Sequence, residues 1–221
     1  MKVLIPAKKE SSRLSNKNWR EFYKGKNLVE IKIEQVLKSF PASDVYLSSD
    51  YIEFKQKAEA YGIHFIHRHK DLASDNTPWP DAFAGIVNEM PVDDEEDIAW
   101  VEVINPLFDA YDLLFERWLE VKDQNDSLVL VSEFNKFLMN GAGMPLNFMY
   151  GKWHAMSQNK EKQYIWDSAC IMKKKDMKYF SYPIGKTPHL FKMESSAIDI
   201  DTKDDFKLAQ ILFSQKYGHA N

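Results

Sequence analysis

Cysteine is nearly absent from this sequence, and long apolar runs are missing from it. Because Cys170 is the one cysteine, an intramolecular disulfide is excluded, and its apolar neighbours favour a buried, unreactive thiol. The first apolar run, Val3–Ala7, is too short for the core of a signal peptide, and nowhere do about eighteen apolar residues follow one another. We therefore expect a soluble protein of the reducing cytoplasm, with no membrane partner.

An excess of either charge is also missing. The 29 Lys and Arg residues nearly balance the 33 Asp and Glu residues, which leaves a formal net charge of −4 at pH 7. Binding to a nucleic acid needs clustered positive charge, so this balance argues against a nucleic-acid partner. No tract rich in glycine, serine or proline marks a linker, and residues 1–221 are expected to form a single domain.

Short β-branched runs alternate with longer amphipathic runs through most of the chain. The predicted strands are Lys2–Pro6, Asp44–Ser48, His64–His67, Ile98–Ile104, Ser127–Glu133, Asp167–Met172 and one near Leu190–Met193. The predicted helices are Leu28–Phe40, Tyr51–Tyr61, Pro80–Glu89, Ala110–Lys122 and Asp204–Tyr217. This alternation is typical of βαβ units and predicts an α/β fold with a mostly parallel sheet between helices.

The alternation stops after Glu133. From Phe134 to Lys162 the sequence holds a glycine-containing turn at Asn140–Gly143, several aromatic residues and methionines, and no clear period. We interpret approximately residues 134–165 as an inserted, β-rich arm. Its apolar side chains favour an interface over a cofactor site.

The loop that follows the first predicted strand is unusually cationic. It places Lys8, Lys9, Arg13 and Lys17 close to the hydroxyl of Ser11. Lys and Arg groups with hydroxyl donors suit a polyphosphate bound at the carboxyl edge of a parallel sheet. The alternative is an ordinary solvated loop, and no Gly-x4-Gly-Lys-Ser/Thr motif is present.

Two acidic residues precede the last predicted helix. Asp199 and Asp201 lie two apart, so on an extended segment their carboxylates point to the same side and suit Mg²⁺. Alternatively, Thr202 caps the helix and the acidic residues of its first turn favour the helix dipole, without a metal. Both interpretations can hold together.

Five segments in the same order resemble the cytidylyltransferases that activate 2-keto-3-deoxy sugar acids. The family includes the acylneuraminate (CMP-sialic acid) synthetases and, more distantly, the CMP-Kdo synthetases. The segments that carry the resemblance are Ile5–Asn18, Gly25–Ser39, Val45–Asp50, Arg68–Pro78 and Ser196–Phe206.

The resemblance implies a Rossmann-like nucleotidyltransferase, a homodimer formed through the inserted arm, and transfer of CMP from CTP to a sialic-acid-like sugar with release of pyrophosphate. It also implies a role for each matching residue. Lys17, Asp199 and Asp201 would be catalytic, with Mg²⁺ on the two aspartates. Glu102 and Asp167 would contact the sugar. The implied nucleotide-binding residues are Lys8, Ser11, Arg13, Lys17, Asn18 and Arg68.

Several positions depart from the family's pattern. Lys8 replaces an Arg, Lys9 and Glu10 replace a Gly pair, Glu102 replaces a Gln, and Phe108 replaces an Arg. The acceptor could therefore be another sugar acid, such as Kdo or a pseudaminic or legionaminic acid, or a phosphonate. A homologue that binds nucleotide without catalysis is the remaining alternative.

Overall fold

A computed structural model describes residues 1–154, 161–193 and 198–218. The strands are β1 (Lys2–Pro6), β2 (Glu21–Tyr23), β3 (Lys26–Asn27), β4 (Val45–Ser49), β5 (His64–His67), β6 (Asp97–Val101), β7 (Ser127–Phe134), β8 (Gln163–Lys173) and β9 (Pro188–Lys192). The helices are α1 (Leu28–Leu37), α2 (Lys55–Ala60), α3 (Trp79–Asn88), α4 (Tyr111–Val121), α5 (Lys174–Phe180) and α6 (Lys203–Tyr217). Part of the predicted arm and the first two residues of the Ser196–Phe206 segment lie outside the described residues.

Seven strands form one sheet in the order β5-β4-β1-β6-β8-β7-β9. Strand β1 pairs in parallel with β4 and β6, β4 pairs in parallel with β5, and β7 pairs in parallel with β9. Within this sheet, β8 runs antiparallel to its two neighbours, β6 and β7. The prediction of an α/β fold with a mostly parallel sheet is therefore confirmed.

Both faces of the sheet are buried, as a parallel sheet requires. Along β1, Val3 and Ile5 join one apolar cluster with α1, α2, α4 and α6, whereas Leu4 joins a second cluster with α3 and α5. The carboxyl ends of β1, β4 and β6 open at one edge of the sheet between these two layers. The loops that follow these strands can therefore meet there.

Some predicted boundaries were wrong. Strand β6 ends at Val101 rather than Ile104, because the chain turns into a loop held by hydrogen bonds from helices. The predicted helix Tyr51–Tyr61 is a 3-10 turn at Ile52–Phe54 followed by α2. Helix α1 ends before Phe40, which precedes Pro41 and is thereby disfavoured in a helical conformation.

Two elements were not predicted from the sequence. Strands β2 and β3 form a hairpin whose turn residues Lys24 and Gly25 both have positive φ, and Gly25 adopts such a conformation without strain. Helix α5 is short and rich in lysine, so its sequence carries little apolar periodicity.

The arm predicted at 134–165 leaves the sheet between β7 and β8. These two strands continue to pair as far as Phe134 and Gln163. Beyond them, the described part of the arm contains one isolated bridge, between Met139 and Pro145, and a 3-10 turn at Gly151–Trp153. Among the described residues, no helix combines the length and the apolar character that crossing a bilayer demands.

Candidate active site

A cavity of about 620 Å³ opens at the carboxyl edge of β1 and β6. The cationic loop forms one wall, and the segment from Leu72 to Pro78 together with the start of α3 forms the other. Glu102 lies at its floor, just after β6. The cavity is also lined by all the residues that the family resemblance implies for nucleotide binding, namely Lys8, Ser11, Arg13, Lys17, Asn18 and Arg68.

The cationic loop reaches the acidic segment before α6. Arg13 Nη1 donates a hydrogen bond to Asp201 Oδ2, and Lys17 Nζ lies 3.4 Å from Asp201 Oδ1. Lys17 Nζ also donates to the carbonyl oxygen of Ile200. Residues from opposite ends of the chain therefore meet beside the cavity: Arg13 and Lys17 line it, whereas Asp199 and Asp201 are not among its lining residues.

A second carboxylate, not predicted as part of the site, binds the loop from the other wall. Lys8 Nζ donates a hydrogen bond to Asp75 Oδ1, and this hydrogen bond is the main reason that the pKa of Asp75 lies below its usual value. Ser12 and Arg13 lower the same pKa further. The loop cations Lys8, Arg13 and Lys17 thus all have carboxylate partners within the described structure.

Hydrogen bonds fix the backbone of the cationic loop. The carbonyl oxygen of Lys8 accepts from Asn18 Nδ2 and from Trp19 Nε1, each at 3.0 Å. The backbone N–H of Lys9 donates to Asp50 Oδ1 at 2.7 Å. The Oδ1 atom of Asn18 is buried and has no hydrogen-bond partner among the described residues, so it can still accept a hydrogen bond from a ligand.

Arg68 is held under the cavity by the end of β4. It is 5% exposed, and its Nε and Nη2 atoms donate to Ser48 Oγ at 3.1 Å and Ser48 O at 2.8 Å. Burial lowers the pKa of Arg68 to about 10, although Asp50 and Glu89 act in the opposite direction. The side chain therefore stays cationic at neutral pH and serves as a fixed positive charge.

The acidic pair is arranged around a buried isoleucine. Ile200 is fully buried, while Asp199 is exposed and Asp201 is partly exposed. The pKa of Asp199 is raised, first because surrounding protein atoms desolvate its carboxyl group and second because Asp201 repels its negative charge. Thr202 caps α6 in a reciprocal arrangement with Asp205, so the predicted cap is confirmed.

The donor set of this segment fits a hard divalent cation. Asp199 has neither a hydrogen bond nor an ion pair with any described residue, and its repulsion by Asp201 would be relieved by a bound cation. No group of three or more His, Cys, Asp or Glu side chains among the described residues is placed to hold a metal ion. A cation here would need ligands from a bound phosphate as well.

Glu102 brings a carboxyl group to the cavity floor. Its Oε1 accepts a hydrogen bond from Trp100 Nε1 at 3.0 Å. Desolvation raises the pKa of Glu102 to about 7, with further contributions from Asp199 and Asp167, against the opposing effects of Trp100 and Lys17. The group therefore titrates near neutral pH, so its negative charge toward an anionic ligand is partly removed.

Asp167, which the resemblance assigns to the sugar, lies behind the cavity rather than in its lining. Its Oδ1 accepts from Asn105 Nδ2 at 2.9 Å and from the backbone N–H of Ser168 at 2.6 Å. In this position the carboxylate orients Asn105 in the loop after β6. Asn105 was not singled out from the sequence, because only the fold brings it to Asp167.

Aromatic side chains from α3 and β6 line one part of the cavity. Trp79 stacks on Phe83 with ring centroids 5.1 Å apart, and Phe83 contacts Trp100 at 4.6 Å. All three rings line the cavity. The cavity thus joins a cationic side, suited to phosphates, to an aromatic side, suited to the flat or apolar face of a ring.

Several known proteins are similar to this chain. The bifunctional pseudaminic acid cytidylyltransferase and UDP-2,4-diacetamido-2,4,6-trideoxy-beta-L-altropyranose hydrolase of Helicobacter pylori is 28% identical over 184 residues, which are 77% of this chain. The matched region spans 33% of the length of that relative.

Two solved structures share the fold along nearly the whole chain. A CMP:2-keto-3-deoxy-manno-octonic acid synthetase complexed with CTP has a TM-score of 0.69 at 14% identity, covering 97% of this chain and 98% of its own. The 4-diphosphocytidyl-2C-methyl-D-erythritol synthase of Anaerococcus prevotii has a TM-score of 0.66 at 12% identity, covering 96% of each chain. The Rossmann-like nucleotidyltransferase fold is therefore confirmed.

Similarity of fold alone does not assign the chain to a family, but a match to a family model does. The cytidylyltransferase family model matches residues 2–130, which include the cationic loop, Arg68 and Glu102. This match covers more than half of the 221 residues. The chain belongs to the cytidylyltransferase family.

Proposed function

We propose that this protein transfers CMP from CTP to an acidic 2-keto-3-deoxy sugar of the sialic-acid type and releases pyrophosphate. The observation that carries the proposal is the meeting of the cationic loop with the Asp199–Asp201 segment through Arg13 and Lys17. Arg13 and Lys17 line the cavity, whereas Asp199 and Asp201 stand just outside its lining, behind these two cations. The cavity thus offers cations for a triphosphate, and the adjoining segment offers carboxylates for a metal. Family membership supports cytidine as the base.

In the proposed complex the triphosphate displaces Asp75 and Asp201 from the loop cations. Lys8, Arg13 and Lys17 then neutralise the phosphates, with Ser11 as a hydroxyl donor. Because these groups are positioned before the reaction, they stabilise the charge that develops on the departing pyrophosphate. Asn18 and Arg68, which also line the cavity, would contact the nucleoside part.

The chemical step is an in-line displacement. The anomeric oxygen of the sugar forms a bond to the α-phosphorus, the bond from that phosphorus to the bridging oxygen of pyrophosphate breaks, and the hydroxyl proton passes to solvent. The protein contributes mainly by holding the two reactants in line and by spreading the developing negative charge.

We propose Mg²⁺ as the cofactor, held by Asp199 and Asp201 together with substrate phosphates. A bound Mg²⁺ would neutralise phosphate charge and orient the triphosphate. Asp199 supports this assignment, since Asp201 repels its charge more strongly than either Lys17 or Arg13 attracts it, and the pKa of Asp199 is raised. Lys17 would hold the segment in place through Ile200 O.

The acceptor is proposed to lie over Glu102. A carboxyl group that titrates near pH 7 can donate a hydrogen bond to an anionic sugar, whereas a fully charged one would repel it. The apolar wall of Trp79 and Trp100 favours an acceptor with an apolar face. The names of the relatives point to pseudaminic acid and Kdo as alternatives to sialic acid.

We further propose that the arm pairs with a second copy of the chain. It exposes large apolar side chains, including Met144 at 57%, Leu146 at 64% and Trp153 at 69%. Such exposure is unusual for a monomer in water. Sedimentation of the purified protein tests this proposal: a dimer supports it, and a stable monomer contradicts it.

The test of the proposed activity is pyrophosphate release. Each of CTP, UTP, ATP and GTP is offered with Mg²⁺ and with N-acetylneuraminic acid, pseudaminic acid, legionaminic acid, Kdo or a phosphonate. The proposal predicts release with CTP and a sugar acid, and loss of release in Asp199→Ala. Release with CTP and only the phosphonate would correct the acceptor. Binding of CTP without release in any combination would contradict the activity and support the non-catalytic alternative.

A further inference from the structure

Helix α1 carries a lysine in the middle of the protein. Lys32 is fully buried, and its Nζ donates to Asn105 O at 2.8 Å, to Phe108 O at 3.3 Å and to Tyr111 Oη at 2.7 Å. Three acceptors match the three N–H bonds of an ammonium group. The partners belong to the loop between β6 and α4 and to the first residue of α4.

Two further carbonyl groups of the same loop also accept side-chain hydrogen bonds. Gln35, one turn further along α1, donates from Nε2 to Pro106 O at 2.6 Å. Lys216 of α6 donates from Nζ to Leu107 O at 2.8 Å. Four consecutive carbonyl oxygens, those of residues 105–108, therefore accept side-chain hydrogen bonds, and Lys32 makes two of these contacts.

This loop holds the acidic segment. The carbonyl oxygen of Ile104 accepts a hydrogen bond from the backbone N–H of Ile200 at 3.2 Å. Ile200 stands between Asp199 and Asp201. A shift of the loop is therefore passed through one backbone hydrogen bond to both carboxylates.

Burial of the Lys32 amine requires a compensating interaction. Desolvation of an ammonium group lowers stability, and a methionine would fill a similar volume without that penalty. Burial accordingly lowers the pKa of Lys32 to about 7, while Asp167 and Asp109 act in the opposite direction. The compensation visible in the structure is the set of loop carbonyls that Lys32 holds.

We propose that Lys32 is a positioning residue for the reaction: by holding the carbonyls of Asn105 and Phe108, it sets the loop that fixes the Asp199–Asp201 segment. This inference rests on the proposed function, because the segment is the proposed Mg²⁺ site. Lys32 itself does not line the cavity and does not touch substrate.

The test compares Lys32→Met with a matched control, Lys174→Met. Lys174 is also buried, and its Nζ donates to Met90 O at 2.9 Å and Val92 O at 2.8 Å. It follows Lys173, which pairs with Asp97 at the amino end of β6, so it lies at the sheet edge opposite the cavity. Both variants lose a buried cation that binds two carbonyls.

Two quantities are measured on each folded variant. The first is hydrogen exchange at the Ile200 amide, which does not depend on activity. We expect exchange at least about tenfold faster in Lys32→Met and no change in Lys174→Met.

The second quantity is the rate of pyrophosphate release. We expect kcat to fall on the order of 100-fold in Lys32→Met with an unchanged KM for CTP, because misplacement far from the chemistry lowers rate more than binding.

The outcomes are separable. Unchanged exchange at Ile200 in folded Lys32→Met overturns the inference, as does an equal fall of kcat in both variants. If Lys32→Met does not fold, Tyr111→Phe decides, because it removes one Lys32 partner while keeping the core volume. In Tyr111→Phe, a smaller increase in hydrogen exchange at Ile200 and a smaller fall in kcat support the inference. The absence of both changes overturns it. Wild-type protein without pyrophosphate release contradicts the proposed function, while the exchange measurement still tests Lys32.

Discussion

Arg13 and Asp201 form an ion pair across 188 residues of sequence. The pair joins the loop after the first strand to the segment before the last helix, at the edge of one cavity. Three of the loop cations, Lys8, Arg13 and Lys17, each have a carboxylate partner. A triphosphate must therefore compete with protein carboxylates for Lys8, Arg13 and Lys17.

Asp201→Asn tests the role of the acidic segment. The change removes the carboxylate shared by Arg13 and Lys17, so we expect pyrophosphate release to fall on the order of 100-fold. Binding of CTP without a divalent cation should not weaken, because a negative charge has been removed from the site. Initial rates and calorimetry measure the two quantities.

Asp204→Asn serves as the control for Asp201→Asn. Its side chain is 95% exposed and lies in the first turn of α6. The control should keep the wild-type rate. Equal rates in Asp201→Asn and wild type would contradict the assignment of Asp201 to the site.

Asp75→Asn is expected to tighten CTP binding. The variant frees Lys8 from its counter-ion, and because exposed ion pairs are weak, the KM for CTP should fall by no more than about fivefold with kcat unchanged. The effect should shrink at high salt. Asp71→Asn, in the same loop and with a side chain 72% exposed, is the matched control. A higher KM in Asp75→Asn would mean that Asp75 assists binding.

Glu102→Gln should alter the pH dependence of stability. The pKa of Glu102 is raised to about 7 in the folded protein, so the folded state binds its proton more tightly than the unfolded state does. Its contribution to stability is therefore present below the unfolded pKa of about 4.3 and is lost as the pH rises through 7. Glutamine does not ionise, so Glu102→Gln does not lose this stability as the pH rises.

Chemical denaturation at several pH values measures the effect. Relative to wild type, Glu102→Gln should gain about 2 kcal/mol in free energy of unfolding between pH 5 and pH 8, less than the full equivalent of the pKa shift because the carboxyl borders water. A difference between the two proteins that does not vary with pH would show that Glu102 titrates normally.

Arg68→Lys should destabilise the protein although it keeps the positive charge. Lysine cannot reproduce the two hydrogen bonds from Nε and Nη2 to Ser48, so we expect a loss of about 1 to 3 kcal/mol in free energy of unfolding. Arg117→Lys, whose side chain is 48% exposed on α4, should change it little. Similar stability of both variants and wild type would contradict this account of Arg68.

Local chemistry made much of the site predictable. The strand Lys2–Pro6 and the cationic loop after it adjoin in sequence, and parallel strands bring their carboxyl ends to one edge. The cap at Thr202 also depends on neighbouring residues alone. For these reasons sequence patterns predicted a cationic loop at the edge of the sheet, with Lys8 and Arg13 in it, whereas the meeting of this loop with Asp201 was expected from the family resemblance.

Long-range pairing made the rest unpredictable. Asp75 is one of many acidic residues, and only the fold brings it to Lys8. The burial of Lys32 could not be predicted, because α1 is buried on nearly every side. A lysine outside the apolar stripe of a helix is ordinarily expected to face solvent. The antiparallel insertion of β8 between β6 and β7 likewise depends on tertiary packing rather than on periodicity.

The most direct test of the central claim is the crystal structure of the protein with CTP and Mg²⁺. The account predicts that the triphosphate lies against Lys8, Arg13 and Lys17, that the ion pair between Arg13 and Asp201 is open, and that Asp199 faces the α-phosphate. A triphosphate bound elsewhere, with Arg13 still paired to Asp201, would contradict it.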